Sequence, residues 1–182
     1  MGTDKGLLVY SFIPQRYLMH DLIGNFVEKR FLSCNAEQAK DINKYCDIIV
    51  DKPEYRDIGP MAALLSAHDE YPEASFLVIG CDYPFLTWSE LDNLCNNRDE
   101  NYDAVCVYDP VTGIEEPILA IYESRCFPQL IKNYNEGKHS LRQLLKDVNT
   151  KRIVPNNPQN IISVDSEAHF LAIKEMRSKE RR

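Results

Sequence analysis

Long apolar runs and a secretory signal are both missing from the sequence. No stretch approaches the roughly 20 apolar residues that a membrane-spanning helix needs, and no signal peptide stands ahead of the first cysteine. The six cysteines include no Cys-x-x-Cys pair, so most are expected to be reduced, buried thiols. These absences predict a cytoplasmic protein with no membrane partner.

Excess positive charge is missing as well. The 182 residues contain 21 Lys and Arg against 28 Asp and Glu, which gives a formal net charge of -7. The one basic cluster lies at the C-terminus, over 174–182. Because binding to a nucleic-acid backbone usually needs a concentrated basic surface, a nucleic-acid partner is disfavoured. An acidic protein that handles a polyanionic substrate must gather its few cations locally or recruit a divalent metal.

Several catalytic motifs are also absent. The four histidines show neither the HxH nor the HExxH spacing of zinc ligands. The sequence contains no GxSxG nucleophile elbow and no GxxxxGK[ST] phosphate loop. We therefore assign no zinc site, no serine nucleophile and no P-loop to this chain.

What the sequence does contain is an alternation of short apolar runs with helical patterns. With 182 residues, 44% of them hydrophobic, it fits one domain over 1–182 with an ordinary core. The alternation is typical of βαβ units and predicts a doubly wound, mostly parallel α/β sheet with helices on both faces. Strands are predicted at 31–34, 46–50, 76–80, 104–108, 118–122 and 161–164. Helices are predicted at 36–44, 60–70, 88–96, 127–135, 140–147 and 166–179.

Three carboxylates, Asp51, Asp82 and Asp165, come directly after predicted strands. In open parallel sheets the ligand lies beyond the carboxyl ends of the strands, so chemistry is expected there. Asp82 follows an apolar strand and precedes Pro84, which forces an immediate turn. A carboxylate so placed can hold Mg²⁺, which in turn binds phosphate oxygens. The alternative is an aspartate that only caps backbone donors, and spacing alone leaves both open.

Three other segments contain residue types that suit ligand contacts. Gly59 permits a tight turn and Pro60 suits a first helical position, so free N–H groups at this helix start face either an anion or water. Lys5 lies in a Gly-flanked segment that suits a phosphate contact, unless the terminus is frayed. The segment 115–117, Glu-Glu-Pro, either positions a substrate amide or hydroxyl or forms an exposed turn.

These segments occur in a specific order over nearly the whole chain. They include Met1-Gly-Thr-Asp-Lys5, Gly59-Pro-Met-Ala-Ala63 and Cys81-Asp-Tyr-Pro84, with further matches at 14–16, 31–35, 49–51, 116–122 and 140–145. In that order they resemble the molybdenum cofactor guanylyltransferase family and its MobA-like NTP-transferase relatives. The resemblance implies a Rossmann-like nucleotidyltransferase fold. It also implies Mg²⁺-dependent transfer of GMP from GTP to molybdopterin or the molybdenum cofactor, with release of pyrophosphate.

The same resemblance implies roles for individual residues. Lys5 would contact the nucleotide phosphates and Asp82 would hold Mg²⁺, which makes these two the predicted catalytic residues. Asp51 would lie near the base or ribose, and the strand-end segment with Ser33 and Asn35 would line the base pocket. Asp165 would be a second metal ligand where the family has Asn-x-Asn. The full set implied to contact the nucleotide is Lys5, Ser33, Asn35, Asp51, Gly59, Pro60 and Asp82.

The sequence departs from the family at its start. Members begin with a strand and a Leu-Ala-Gly-Gly-x-Ser-x-Arg loop ahead of Met-Gly-x-Asp-Lys, whereas this sequence starts at Met1 of that segment. We interpret it as N-terminally short. Loss of a central strand leaves buried backbone groups unpaired at about 1–3 kcal/mol each. The position of the central strand is therefore expected to be filled in one of three ways: by an upstream part of a longer natural chain, by the segment Gly6–Tyr10, or by a partner chain.

Two functions from different classes remain open. The first is the guanylyltransferase reaction, with molybdoenzymes or their chaperones as implied protein partners. The second is a non-catalytic nucleotide or pterin binder that lost its activity together with the phosphate-binding loop. A sugar-phosphate nucleotidyltransferase would carry sugar-contact motifs, which we do not find in the sequence.

Overall fold

The computed structural model describes residues 4–110, 112–164 and 166–179. Six strands are formed: β1 (Leu32–Cys34), β2 (Ile48–Val50), β3 (Phe76–Ile79), β4 (Ala104–Asp109), β5 (Ile114–Tyr122) and β6 (Thr150–Ile153). Six α-helices accompany them: α1 (Gln15–Leu22), α2 (Pro60–Glu70), α3 (Trp88–Asn96), α4 (Phe127–Asn135), α5 (Leu141–Asp147) and α6 (Glu167–Lys179). Among these helices, none is long and apolar enough to cross a membrane.

The described strands form two sheets. Strands β1 and β2 pair in parallel, and the other four are ordered β3-β5-β4-β6. Strand β6 runs parallel to β4, whereas β5 runs antiparallel to both of its neighbours. The predicted α/β class is confirmed, and the direction of β5 is a detail that the strand pattern did not indicate. Only residues 110–113 separate β4 from β5, and a parallel connection needs a dozen residues or more.

Alternate residues of the larger sheet face two separate cores. On β4, Ala104 and Cys106 pack with one core and Val105 and Val107 with the other. Helices α2, α4 and α5 supply the first core, and α1 and α3 supply the second. This alternation follows from the period of two along a strand. It explains why the strands are apolar on both sides, as expected for a sheet covered by helices on both faces.

The N-terminal segment does not form a strand. Lys5–Leu7 is a short 3-10 helix, and the residues from Leu8 to Tyr10 pair with no strand of the described chain. Within the described residues, β1 pairs with β2 alone and β3 with β5 alone. The suggestion that Gly6–Tyr10 replaces the central strand is therefore wrong. The segment instead lies over the carboxyl end of β3, where Lys5 reaches Asp82.

Other predicted elements also differ from the structure. The helix predicted at 36–44 is only a 3-10 turn at Gln38–Asp41, and the strand predicted at 161–164 is absent from the described residues. Helix α1 was not predicted because its buried face includes the polar side chains Gln15, Arg16 and His20, which obscure an apolar period. Strand β6 was missed because Thr-Lys-Arg-Ile at 150–153 is not an apolar run.

The cysteines match the expectation of free thiols, but only half of them are buried. All six, each within the described ranges, are free thiols, and Cys34, Cys106 and Cys126 are buried. Burial raises the pKa of the Cys106 and Cys126 thiols to about 12. These two thiols therefore behave as small apolar core groups near neutral pH.

Candidate functional site

The candidate site is centred on a lysine–carboxylate pair at the carboxyl end of β3. Lys5 Nζ lies 3.6 Å from Asp82 Oδ2, and the two side chains are 33% and 14% exposed. The pair joins the N-terminal 3-10 helix to the loop after β3. Both side chains retain some exposure, and their opposite charges balance each other in the absence of a ligand. The structure thus brings together the two residues predicted to be catalytic.

Gly80 gives Asp82 its position. A Cβ built on Gly80 would lie 2.4 Å from Asp82 Oδ1 and 2.5 Å from Ile118 Cδ1, so a side chain cannot be accommodated without a shift. Gly80 N–H donates to the carbonyl of Ile118 at 2.7 Å, which holds the loop against β5. The glycine therefore allows the Asp82 carboxylate to fold back over the strand end.

The segment before Asp165 is attached to the same loop. Val164 N–H donates to the carbonyl oxygen of Asp82 at 2.9 Å, and Val164 is fully buried. Asp165 itself, the second predicted metal ligand, lies outside the described residues. The backbone bond at Val164 nevertheless shows that the C-terminal segment runs beside the Asp82 loop.

A second pair lies at the ends of β1 and β2. Ser33 Oγ donates to Asp51 Oδ1 at 3.4 Å; Ser33 lies in β1, and Asp51 directly follows the parallel strand β2. Burial raises the pKa of the Asp51 carboxyl above its ordinary value, and the Ser33 hydrogen bond lowers it in part. Asp51 is therefore a partly desolvated acceptor at a strand end, suited to a hydroxyl or N–H donor.

Asn35 has a local structural task. Its Oδ1 accepts from the backbone N–H groups of Glu37 and Gln38 at 3.0 and 2.9 Å. This is the way an asparagine caps a helical turn. The cap fixes the chain directly after β1, next to the predicted base pocket.

Gly59 and Pro60 begin α2 in the manner expected. Gly59 has φ +62° and precedes Pro60 at the first helical position. A Cβ on Gly59 would meet nothing within 4 Å, so the turn borders open space. The positive φ explains why glycine occupies this position.

Tyr83, the residue after Asp82, belongs to a hydrogen-bond network that the sequence indicated only in part. Tyr83 Oη donates to Glu116 Oε2 at 2.7 Å, and Gln15 Nε2 donates to the Tyr83 carbonyl at 3.1 Å. Burial raises the pKa of the Glu116 carboxyl, with the charges of Asp82 and Asp109 raising it further. The segment 115–117 lies within β5 and Glu115 is 8% exposed, so the alternative of an exposed turn is wrong.

Magnesium fits this site in one specific way. Within the described ranges, no group of three or more His, Cys, Asp or Glu side chains is placed to hold a metal ion. Mg²⁺ commonly binds one or two carboxylates and takes its other ligands from water and substrate phosphates. The partly exposed carboxylate of Asp82, beside the Lys5 ammonium, suits that mode and does not suit an all-protein metal cage.

A comparison with protein families matches residues 1–153 to the MobA-like NTP transferase domain. A probable molybdenum cofactor guanylyltransferase of Bacillus cereus (strain B4264) is 30% identical over 176 residues, which cover 93% of this chain and 86% of that protein. A molybdenum cofactor biosynthesis bifunctional protein of Synechocystis is 26% identical over 167 residues. The chain spans 48% of the length of that bifunctional protein, and 55% of a guanylyltransferase relative from B. cereus strain Q1.

Two solved structures have a similar fold. Molybdopterin-guanine dinucleotide biosynthesis protein A of Archaeoglobus fulgidus superposes with a TM-score of 0.78 at 17% identity, covering 98% of this chain and 92% of that one. A putative protein of Aquifex aeolicus gives a TM-score of 0.69 at 13% identity, with 84% and 78% covered. At these identities the likeness concerns the fold alone.

Proposed function

Because the chain belongs to the MobA-like NTP transferase family, we propose that it transfers GMP from GTP to the terminal phosphate of molybdopterin or its molybdenum form. A phosphate oxygen of the pterin substrate attacks the α-phosphorus of GTP. The bond between the α-phosphorus and the oxygen that bridges it to the β-phosphorus breaks, and pyrophosphate leaves with that oxygen. The observation that carries the proposal is the Lys5–Asp82 pair, 3.6 Å apart at the carboxyl end of β3. The name of the Bacillus cereus (strain B4264) relative, a probable molybdenum cofactor guanylyltransferase, supports guanine as the base.

Lys5 would bind the phosphates of the nucleotide. Its ammonium is one-third exposed and already faces a carboxylate, so a phosphate oxygen can take up a similar position. Negative charge grows on the departing pyrophosphate during the transfer, and a fixed cation there is more effective than water. No general base is needed, because the attacking phosphate is already a competent nucleophile.

Asp82 would hold Mg²⁺, with Asp165 as a second ligand. The metal, when bound, neutralises charge on the phosphate oxygens of the nucleotide. Asp82 also keeps the Lys5 ammonium oriented in the absence of nucleotide, since the two charges attract each other. The Val164–Asp82 backbone bond supports the assignment of Asp165, because it brings the preceding residue to the Asp82 loop.

The strand ends of β1 and β2 would receive the nucleoside. Asp51 can accept from a base N–H or a ribose hydroxyl, with Ser33 holding one of its oxygens. Asn35 would line the base pocket, and Gly59 and Pro60 would shape its floor. Open space beside Gly59 is consistent with that placement.

The proposal is tested by calorimetric titration of the chain with GTP, CTP and ATP, each with and without Mg²⁺. We expect Mg²⁺-dependent binding of GTP and weaker binding of the other two nucleotides. Asp82→Asn should lose the Mg²⁺ dependence without unfolding, because it keeps the size of the side chain and removes the charge. Equal binding by this variant would contradict the assigned role. GTP binding without turnover of molybdopterin would favour the non-catalytic binder.

A further inference from the structure

The carboxylate of Asp4 is the meeting point of three donors. Its Oδ1 accepts from the backbone N–H of Gly6 at 2.8 Å, which caps the 3-10 helix that carries Lys5. Its Oδ2 accepts from Arg16 Nη2 at 2.6 Å and from Gln38 Nε2 at 2.8 Å. The side chain of Asp4 is therefore held from α1 and from the segment after β1 at once.

Arg16 is buried at the start of α1. The side chain of Arg16 is 6% exposed and that of Asp4 is 23% exposed. A guanidinium so far from water needs a paired anion, and a charge-assisted hydrogen bond of 2.6 Å meets that need. The neighbouring residue Gln15 is fully buried and bonded to the Leu8 and Tyr83 carbonyls. Arg16 therefore extends from a helix start that Gln15 anchors through hydrogen bonds to these two carbonyls.

Gln38 extends this arrangement to the predicted base pocket. Its Oε1 accepts from the backbone N–H of Asn35 at 2.9 Å while its Nε2 donates to Asp4. One amide therefore connects the residue after β1 to the residue before Lys5. The contacts form a continuous path from Asn35 through Gln38 and Asp4 to the Lys5 turn.

We propose that Arg16 is a positioning residue, which fixes Asp4 and through it aims Lys5 at the nucleotide phosphates. The inference rests on the proposed function, and Arg16 itself touches neither substrate nor metal in it. A lysine side chain has many rotamers, and anchoring its backbone reduces what must be ordered when a phosphate binds. Gln38 would couple this anchoring to the pocket that Asn35 lines.

Amide hydrogen exchange at Gly6 tests the anchoring without any nucleotide. In Arg16→Met, Asp4 loses a charge-assisted partner, and Gly6 exchange should accelerate about tenfold, the factor expected for one such hydrogen bond. Arg16→Lys keeps the charge without the planar fork and should give a smaller acceleration. Lys40→Ala is the matched control, because Lys40 is exposed on the same turn as Gln38 and pairs only with Glu37 among the described residues. Unchanged exchange in folded Arg16→Met would overturn the inference.

A double-mutant cycle tests whether Arg16 acts through Lys5. Arg16→Met should weaken Mg²⁺-GTP binding about tenfold in the natural background and less than about twofold in the Lys5→Ala background. A purely structural role for Arg16 predicts equal losses in both backgrounds, and that result would contradict the proposal. If the natural chain binds no GTP, the proposed function fails, whereas Gly6 exchange still decides the role of Arg16.

Discussion

Replacing Gly80 by alanine should displace the Asp82 carboxylate. The added Cβ would stand 2.4 Å from Asp82 Oδ1 and must reach at least 3.0 Å, and it would stand 2.5 Å from Ile118 Cδ1. The φ of Gly80 is not positive, so the backbone accepts alanine and the effect is steric. Overpacking of this kind costs about 1–3 kcal/mol of folding free energy. Displacement of a ligand-binding group by a fraction of an ångström should weaken Mg²⁺-dependent GTP binding about tenfold or more.

A second substitution separates the two clashes. Ile118→Val removes Cδ1 but leaves Cγ1, which is 3.1 Å from the added Cβ. The double variant Gly80→Ala/Ile118→Val should therefore regain part of the stability in urea unfolding and little of the GTP affinity in calorimetry. If Gly80→Ala alone binds Mg²⁺-GTP as tightly as the natural chain, the reasoning that ties Gly80 to Asp82 is refuted.

Three further predictions follow from the structure. Asp82→Asn should abolish Mg²⁺-dependent turnover while its thermal midpoint stays close to that of the natural chain; retained turnover would contradict the metal role. Leu144→Ala empties a fully buried position of the first core and should lower the urea unfolding free energy by about 2–5 kcal/mol, and a loss well below that range would indicate a core that collapses. Burial raises the pKa of the Glu123 carboxyl, but hydrogen bonds from Arg98 and Ser75 lower it more, so the pKa lies below its ordinary value. Its stabilising effect is therefore present above the unfolded pKa and lost as pH falls through the lower folded value. Acid unfolding followed by circular dichroism should be less steep in Glu123→Gln, and identical curves would contradict this.

Helix positions were predicted best where local signals and burial agree. Helices α2, α3 and α4 have the bounds predicted from the sequence pattern, and α2 begins at Pro60 as expected. For α5 the only difference is Ser140, which caps the helix by accepting from Gln143 N–H. Such signals lie within a few residues of each other, so a single sequence contains them.

Elements that depend on distant contacts were not predictable in the same way. Helix α1 buries Arg16 because Asp4 pairs with it, and no local pattern indicates that pairing. The antiparallel direction of β5 was missed because the apolar run placed the start of this strand at 118, whereas it begins at Ile114 and leaves a connection too short for a parallel crossover. The burial of polar side chains and the direction of a strand are set by tertiary contacts, which the periodicity of one segment does not indicate.

In the candidate site, too, residues with a local sequence signal were predicted and residues that depend on distant contacts were not. Asp82 was predicted as a site residue because a carboxylate directly follows an apolar strand, and Lys5 because its segment resembles a family motif. The structure adds the 3.6 Å contact between them. Asp4, Arg16 and Gln38 were missed as a unit, because they come from three separate segments that meet only in the folded chain.

The central claim is most directly tested by a turnover assay with molybdopterin, GTP labelled at the α-phosphate, and Mg²⁺. The account predicts that label moves to the pterin while one pyrophosphate is released for each GMP transferred, and that Asp82→Asn and Lys5→Ala both lose this transfer. Tight GTP binding by the natural chain with no labelled pterin product would contradict it.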